Sequence, residues 1–379
     1  MILKLIYFLM LRAYKYRMYP DENQIEMFHK HFGACRYIYN WALENKIKSY
    51  EQEGKSISRF ELNGKIRMLK REFEWLKEVN SQSLQGATLN LDNAFTRFFR
   101  EKKGFPKFKS RKNPVQSFSV PQHYQVDFEK NKVKLPKIGW IKTKLHRNFE
   151  GVCKTATVSK TSTDKYFISI LVDGGKELPV KQEFDIDTTI GVDVGIKDFA
   201  IMSNGDKIEN PKHLKNTIER LKVLQQRLSG KEKGSANRQK AKLAVAKLHE
   251  KIANQRNDFQ HKLSHKLISE NQAIALETLN VNGMLKNHCL AQSISDASWS
   301  SFVSKLEYKA EWCGKTVLRI GQFEPSTKIC NVCGFHNKNI TLSNRNWQCP
   351  DCGTKHDRDV NAAINIKKFA LNKQNLIGI

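Results

Sequence analysis

Apolar and polar side chains alternate from Leu11 to Met18 and stop at Pro20, so the chain opens with a strand that a proline closes. The period then lengthens. Over residues 21–101, apolar positions recur at Ile25, Met27, Phe28 and Phe32, at Ile38, Trp41 and Ala42, and at Leu84, Leu89, Leu91, Ala94, Phe95 and Phe98, which predicts helices. Gly104 and Pro106 break that pattern. Residues 115–182 return to alternation, most clearly in KVKLPKIGWIKTKL and KYFISILVDGG. With the first strand they predict one small barrel carrying the helical segment as an insertion.

A different pattern begins near residue 188. TIGVDVG and IKDFAIMS are short apolar runs, and Asn204-Gly205 is a hairpin signal. Residues 212–268 read as a long helical hairpin. Ile218, Leu221 and Leu228 mark the apolar stripe of its first helix, and Leu248, Ile252, Phe259, Leu263 and Leu267 that of the second, with the break at Gly230 and Gly234. QAIALETLN predicts a strand. Residues 295–313 predict an amphipathic helix capped by Ser295 or Asp296, TVLRIGQF a further strand, and 357–371 a terminal helix with Asp357 as its cap. Hairpin strands, crossover helices and acids at strand ends suit an α/β RNase H-like domain. The whole is a multidomain α+β chain.

Charge narrows the class of partner. The 379 residues hold 65 Lys and Arg against 38 Asp and Glu, a formal net charge of +27 that points to a polyanion. The excess is clustered. Residues 212–266 hold 15 basic and 4 acidic residues, a net of +11, and FTRFFREKKGFPKFKSRK at 95–112 holds five Phe and eight basic residues against one acid. Lys102, Lys103, Lys107, Lys109 and Arg111 are candidate nucleic-acid contacts, while Phe95, Phe98 and Phe99 are expected in the core. His261 and His265, four apart on one helix, lack a third ligand nearby and suit a nucleic-acid-facing surface better than a metal. The apolar run from Leu5 to Leu11 is too short to span a membrane and no cleavage site follows, so the expected setting is the cytosol.

Two groups of residues carry chemistry. Cys330, Cys333, Cys349 and Cys352 form two CxxC pairs separated by fifteen residues, the spacing of a closed, structural Zn2+ site. Gly334 and Gly353 follow each pair, where tight turns favour positive φ. Lys338, Arg345 and Trp347 between the pairs fit a nucleic-acid contact or plain surface equally well. The other four cysteines are scattered, which fits reduced thiols. The second group is Asp193, Glu277 and Asp359. The first two lie at or beside strand-like runs and the third opens a helix. Three such acids brought together offer hard oxygen ligands to Mg2+, and a pair of such ions can cleave a phosphodiester. Each also has an ordinary reading as a turn, an ion pair or a helix start. Asp198 and Asp357 are decoys, and His356 reads as a polar contact more than a proton carrier.

LRAYKYRMYP, GACRYIYNWAL, GFPKFKSRK, GVDVGIKDFA, DFQHKLSHKL, SISDASWSSFVSKLEYKAEW, FEPSTKICNVCG, CPDCG and HDRDVNAAINI together resemble TnpB, the RNA-guided nucleases of bacterial and archaeal insertion sequences, over about Leu11 to Phe369. The resemblance implies a wedge-type β-barrel (1–20 and 113–186), an inserted helical recognition domain (21–112), a RuvC-like nuclease domain (187–324 and 356–379) and an inserted zinc ribbon binding the target strand (325–355). It implies Asp193, Glu277 and Asp359 as the catalytic acids, all present, which argues against nuclease-dead repressor relatives. It also implies a guide RNA from the transposon end, double-stranded target DNA beside a short adjacent motif, a monomer with RNA, and no long tail. Gln82 and Gln85 lie where the family reads that motif, and Gln85 is the better placed to bond an adenine. The rival readings are a guide-directed DNA-binding repressor, a DDE-type transposase and a plain zinc-ribbon DNA-binding factor.

Overall fold

The computed structural model describes residues 9–341 and 344–376, which divide into two compact units between Glu177 and Leu178. Most of the Leu5–Leu11 apolar run lies outside the described residues. The first unit opens with β1 (Leu9–Tyr19) and continues with α1 (Glu22–Glu53), α2 (Arg59–Glu72) and α3 (Ser81–Glu101). The local sequence sets these boundaries. Asp21 and Gln24 form a reciprocal capping box at the start of α1, Ser58 and Glu61 do the same for α2, and Gly54 ends α1 in the left-handed region at φ 66°.

Six strands follow: β2 (Gln116–Val120), β3 (Gln125–Asp127), β4 (Lys132–Leu135), β5 (Gly139–Lys144), β6 (Val152–Lys160) and β7 (Tyr166–Glu177). With β1 they make one antiparallel sheet in the order β2-β6-β7-β1-β5-β4-β3. The helical segment thus interrupts a single sheet between its first and second strands. The alternation predicted for Leu11–Met18 is real: Tyr16 and Met18 are fully buried in the core shared with Phe28, Ile38, Leu84, Ile168 and Ile170.

The second unit contains β8 (Thr189–Val194), β9 (Asp198–Met202), β10 (Lys207–Glu209), α4 (Ile218–Ser229), α5 (Ala236–Glu270), β11 (Ala273–Glu277), α6 (Val281–Met284), α7 (Ala291–Ala297), α8 (Trp299–Trp312), β12 (Thr316–Ile320), β13 (Asn346–Gln348), β14 (Lys355–Asp357) and α9 (Arg358–Asn372). Its main sheet runs β10-β9-β8-β11-β12. The β10-β9-β8 ladder is antiparallel, and β8-β11-β12 is parallel. Parallel strands need both faces covered. Ile190, Val192, Ile274 and Leu276 pack on one face with Leu263, Leu267, Trp299 and Phe302 of α5 and α8. Ala273 and Ala275 face the other way, toward Ile366, Ala370 and Leu371 of α9.

Gly191 explains how close α9 lies. A methyl group there would collide with the Ala363 carbonyl oxygen and press on Lys367. Gly191→Ala is therefore expected to push α9 off β8, destabilising this unit by about 1–3 kcal/mol or more and lowering activity at the helix start. Thermal unfolding with a parallel activity assay checks this; an unchanged melting transition would show that α9 does not rest on this glycine.

Two expectations are corrected. The helix predicted over 295–313 is interrupted at Ser298, which adopts φ 52° between α7 and α8. Asp296 does not cap it: its carboxylate accepts the N–H groups of Leu214 and Lys215 and pairs with Arg256 at 3.1 Å. Of the three phenylalanines expected in the core, Phe95 is half-buried and packs against it, Phe98 is half-buried, and Phe99 is 73 % exposed.

Candidate active site and cysteine centre

Strand alternation places two of the three acids. Gly191 faces α9, Val192 packs on the opposite face, and Asp193 therefore returns to the α9 side. Along β11 the same count, from Ala275 through Leu276, brings Glu277 to the α9 side. The parallel register pairs Ala275 with Gly191 and Leu276 with Val192, so Glu277 and Asp193 come next on neighbouring strands, at one level. The third acid comes from the helix on that face: Asp359 is in the first turn of α9. The two decoy acids have ordinary structural roles. Asp357 is the N-cap, accepting the N–H groups of Asp359 and Val360, and also pairs with Lys207. Asp198 opens β9 and is paired in register with Glu209.

The acids feel each other. Burial, then the charges of Glu277 and Asp359, push the Asp193 carboxyl well above the ordinary carboxylate range, with Arg358 pulling the other way. Burial raises Glu277 too, against a hydrogen bond donated by the Ser326 hydroxyl. Asp359 has cationic company: Arg345 Nη1 lies 2.6 Å from its Oδ2, and the Arg358 guanidinium reaches its Oδ1 at 2.7 and 2.8 Å. The oxygens of the three acids are not all drawn within 4.8 Å of one another; among the described residues the four cysteines are the set that meets that spacing. The donor set suits a divalent cation such as Mg2+, because it consists of hard oxygens and a cation would offset both the burial and the neighbouring negative charge that raise Asp193.

Ser326, Arg345 and Arg358 are the participants that sequence reading missed. The sequence allows Arg345 as surface or as nucleic-acid contact, and its place beside Asp359 follows from the β13–β14 hairpin. Asn346 pairs with Asp357, and the Arg358 N–H donates to the Arg345 carbonyl. The strap before the cysteines is fastened to α9 as well. Buried Asn361 and Asn365 donate to the carbonyls of Ile329 and Ser326.

The cysteine sulfurs all lie within 4.8 Å of one another, with Cys330–Cys352 at 3.7 Å and Cys333–Cys349 at 3.5 Å. Thiolates bound tetrahedrally at about 2.3 Å from Zn2+ stand about 3.8 Å apart, so the residues fit that ion. Gly334 and Gly353 have φ of 79° and 71°, as the two tight turns require. His356 faces this centre, its Nε2 3.1 Å from Cys330 Sγ and its ring against Trp347. Trp347 is buried with Cys330, Ile340 and Cys349.

The remaining candidates lie in the first unit. Gln82 and Gln85 are on α3, with Gln85 exposed and Gln82 bonded to Gln122 at 3.2 Å. Lys102, Lys103, Lys107 and Arg111 are exposed, whereas the Lys109 ammonium sits 4.1 Å from the centre of the Tyr39 ring. In the second unit, His261 and His265 are both exposed on α5.

Residues 169–288 match a family described as "Probable transposase", residues 299–366 one described as "Cas12f1-like, TNB domain", and residues 10–55 a "Helix-turn-helix domain". A Streptomyces pristinaespiralis protein named "Putative RNA-guided DNA endonuclease" is 38% identical over 363 residues, covering 94% of this chain and 88% of that protein. "Putative RNA-guided DNA endonuclease InsQ" of Escherichia coli (strain K12) is 32% identical over 373 residues, covering 94% and 91%. Among solved structures, a Cas12f1–sgRNA–target DNA complex matches with TM-score 0.58 at 16% identity, over 91% of this chain and 82% of that one, a likeness of fold. No helix among the described residues is long and apolar enough to cross a membrane. By its identity to these relatives across nearly their full length, the chain belongs to the TnpB family.

Proposed function

We propose that this protein is an RNA-guided DNA endonuclease that cuts double-stranded DNA beside a short adjacent motif, using a guide RNA derived from the end of its transposon. The observation that carries the reading is the meeting of Asp193, Glu277 and Asp359 on one face of a mixed sheet, beside the cysteine centre. The five-stranded order, three antiparallel then two parallel, fits an RNase H-like (RuvC) domain over 187–324 and 356–379, with a zinc ribbon at 325–355 that holds the target strand. The seven-stranded sheet fits the wedge-type barrel of 1–20 and 113–186, and α1–α3 the recognition domain of 21–112.

Bound Mg2+ ions would supply Lewis acidity, activating the attacking water and stabilising the leaving 3′ oxygen. The protein's part is to present oxygen ligands and fix them. Asp193 is held within the β8–β9 ladder, paired in register with Ile201. Ser326 orients Glu277 by hydrogen bonding, and Arg345 and Arg358 hold the Asp359 carboxylate in place at the first turn of α9. Sequence choice falls to the guide, and the basic chain grips nucleic-acid backbones.

Expression beside the native flanking DNA should yield protein carrying one discrete RNA, and the loaded protein should cut a matching plasmid in Mg2+. A discrete RNA with binding but no cutting on any adjacent sequence would favour a guided repressor. Strand joining without RNA would favour a DDE-type transposase.

A further inference from the structure

Beyond the carboxylate site, the first unit holds a pocket of about 730 Å3 formed by α1 and the end of α3, walled by Tyr50, Phe95, Phe98, Phe99 and Phe105, with Lys46 at its side. The local sequence builds it. Lys102 takes the left-handed conformation at φ 51° and ends α3, so the chain turns and sets Phe105 edge-on to Phe95 and Phe98, at 88° and 83° and centroid distances of 5.6 and 5.4 Å. Phe95 is backed by the buried Lys46, whose ammonium lies 5.4 Å from its ring centre. The rim is left open: Phe99 is 73 %, Tyr50 68 % and Phe105 47 % exposed. Large aromatic faces clustered in water mark a surface that is covered in use.

The charges around the pocket say by what. Eight Lys and Arg against one acid occupy residues 95–112, the segment that forms its wall and exit. Inside, the acids are Asp92, 3.8 Å from Lys46, and Glu51. An apolar floor with an acid at hand suits a heterocycle bearing exocyclic amines, and a cationic border suits the phosphates on either side of it. Aromatic faces beside basic side chains are how single-stranded nucleic acid is held without regard to sequence. The volume lies within the roughly 300–1,000 Å3 that accepts a small ring system.

We propose that this pocket takes an unstacked base of the guide RNA, stacked on Phe99 and Phe105, with the flanking phosphates on the basic residues of 97–107. The proposal rests on the RNA-guided reading above. Guide RNA rather than DNA is the occupant because a permanently exposed aromatic cluster calls for a resident partner, and DNA is met only transiently.

The test is ultraviolet crosslinking of the full-length, RNA-loaded protein followed by peptide mapping, with RNA affinity measured for Phe99→Ala and Phe99→Tyr. The expected result is an RNA adduct on Phe99 or Phe105, a Kd raised about 5- to 100-fold in Phe99→Ala, and near-normal affinity in Phe99→Tyr. Phe99 is largely exposed, so an unchanged melting temperature in Phe99→Ala confirms that folding is intact. A discrete bound RNA and normal cutting, with no adduct and unchanged Kd, would overturn this pocket while leaving the nuclease reading in place. An adduct to target DNA alone, or a Phe99-dependent dimer, would also overturn it. Absence of any bound RNA would bring down both.

Discussion

Asp193→Asn should reduce guide-directed cleavage on the order of a thousandfold or more and yet raise the melting temperature of the protein in Mg2+-free buffer at neutral pH. The first effect follows from deleting a ligand charge at the proposed metal site. The second follows from the sign of the perturbation. Burial and the neighbouring Glu277 and Asp359 raise the folded-state pKa of Asp193 above its unfolded value. The fold then holds the proton more tightly than the unfolded chain does. No penalty exists below the unfolded pKa; stability falls as pH rises between the two values, and the whole loss is in place above the folded one. Asparagine removes the charge and with it the penalty. Adding Mg2+ should stabilise the wild type, by mass action on the native state, and leave Asp193→Asn almost unmoved. Differential scanning measurements with and without Mg2+, in buffer free of chelator so that the cysteine centre is untouched, decide the matter. Equal Mg2+ responses in the two proteins would remove Asp193 from the metal site, as would normal cleavage by the variant.

The acids were legible because strand alternation is a short-range rule. Once TIGVDVG and AIALE are strands with both faces buried, a carboxylate at the end of each is conspicuous, and Asp359 announces itself in a helix start already capped by Asp357. Their partners were not legible. Arg345 reaches Asp359 across fourteen residues through a hairpin of two three-residue strands, and Ser326 reaches Glu277 across forty-nine. Nothing in the periodicity of either segment encodes those contacts. Gly191 likewise reads as one more small residue in a strand until α9 lies against it.

The two corrected expectations share a cause. Ser295 and Asp296 are good helix caps by residue type, but Asp296 is claimed by backbone N–H groups at Leu214 and Lys215, and the break falls instead on Ser298, a residue with no special preference for positive φ. Helical spacing of Phe95, Phe98 and Phe99 implied a core stripe, yet α3 ends at Glu101 and the chain turns back, leaving Phe99 outside. In both cases tertiary demand overrode a sound local preference.

Removing the proposed zinc, by Cys349→Ser or by a zinc-selective chelator, should lower cleavage about 10- to 100-fold or more even though no cysteine belongs to the carboxylate set. The ribbon cannot hold itself together. β13 and β14 have three residues each, far below what an isolated hairpin needs, and among the described residues the buried apolar cluster there is small, Ile340 and Trp347 beside Cys330 and Cys349. The folding free energy of so small a module is largely that of metal binding. Once the hairpin frays, Arg345 leaves Asp359, and Asp357 loses the strand register that sets the start of α9. Asn361 and Asn365 still hold the strap at Ile329 and Ser326, so Glu277 should be disturbed less than Asp359. Metal content by elemental analysis, read beside cleavage rate and its Mg2+ dependence, tests this chain of contacts. The expected pattern is loss of zinc with a higher Mg2+ requirement. A zinc-free protein that cuts at the normal rate and Mg2+ concentration would show that the cysteine ribbon does not position Asp359.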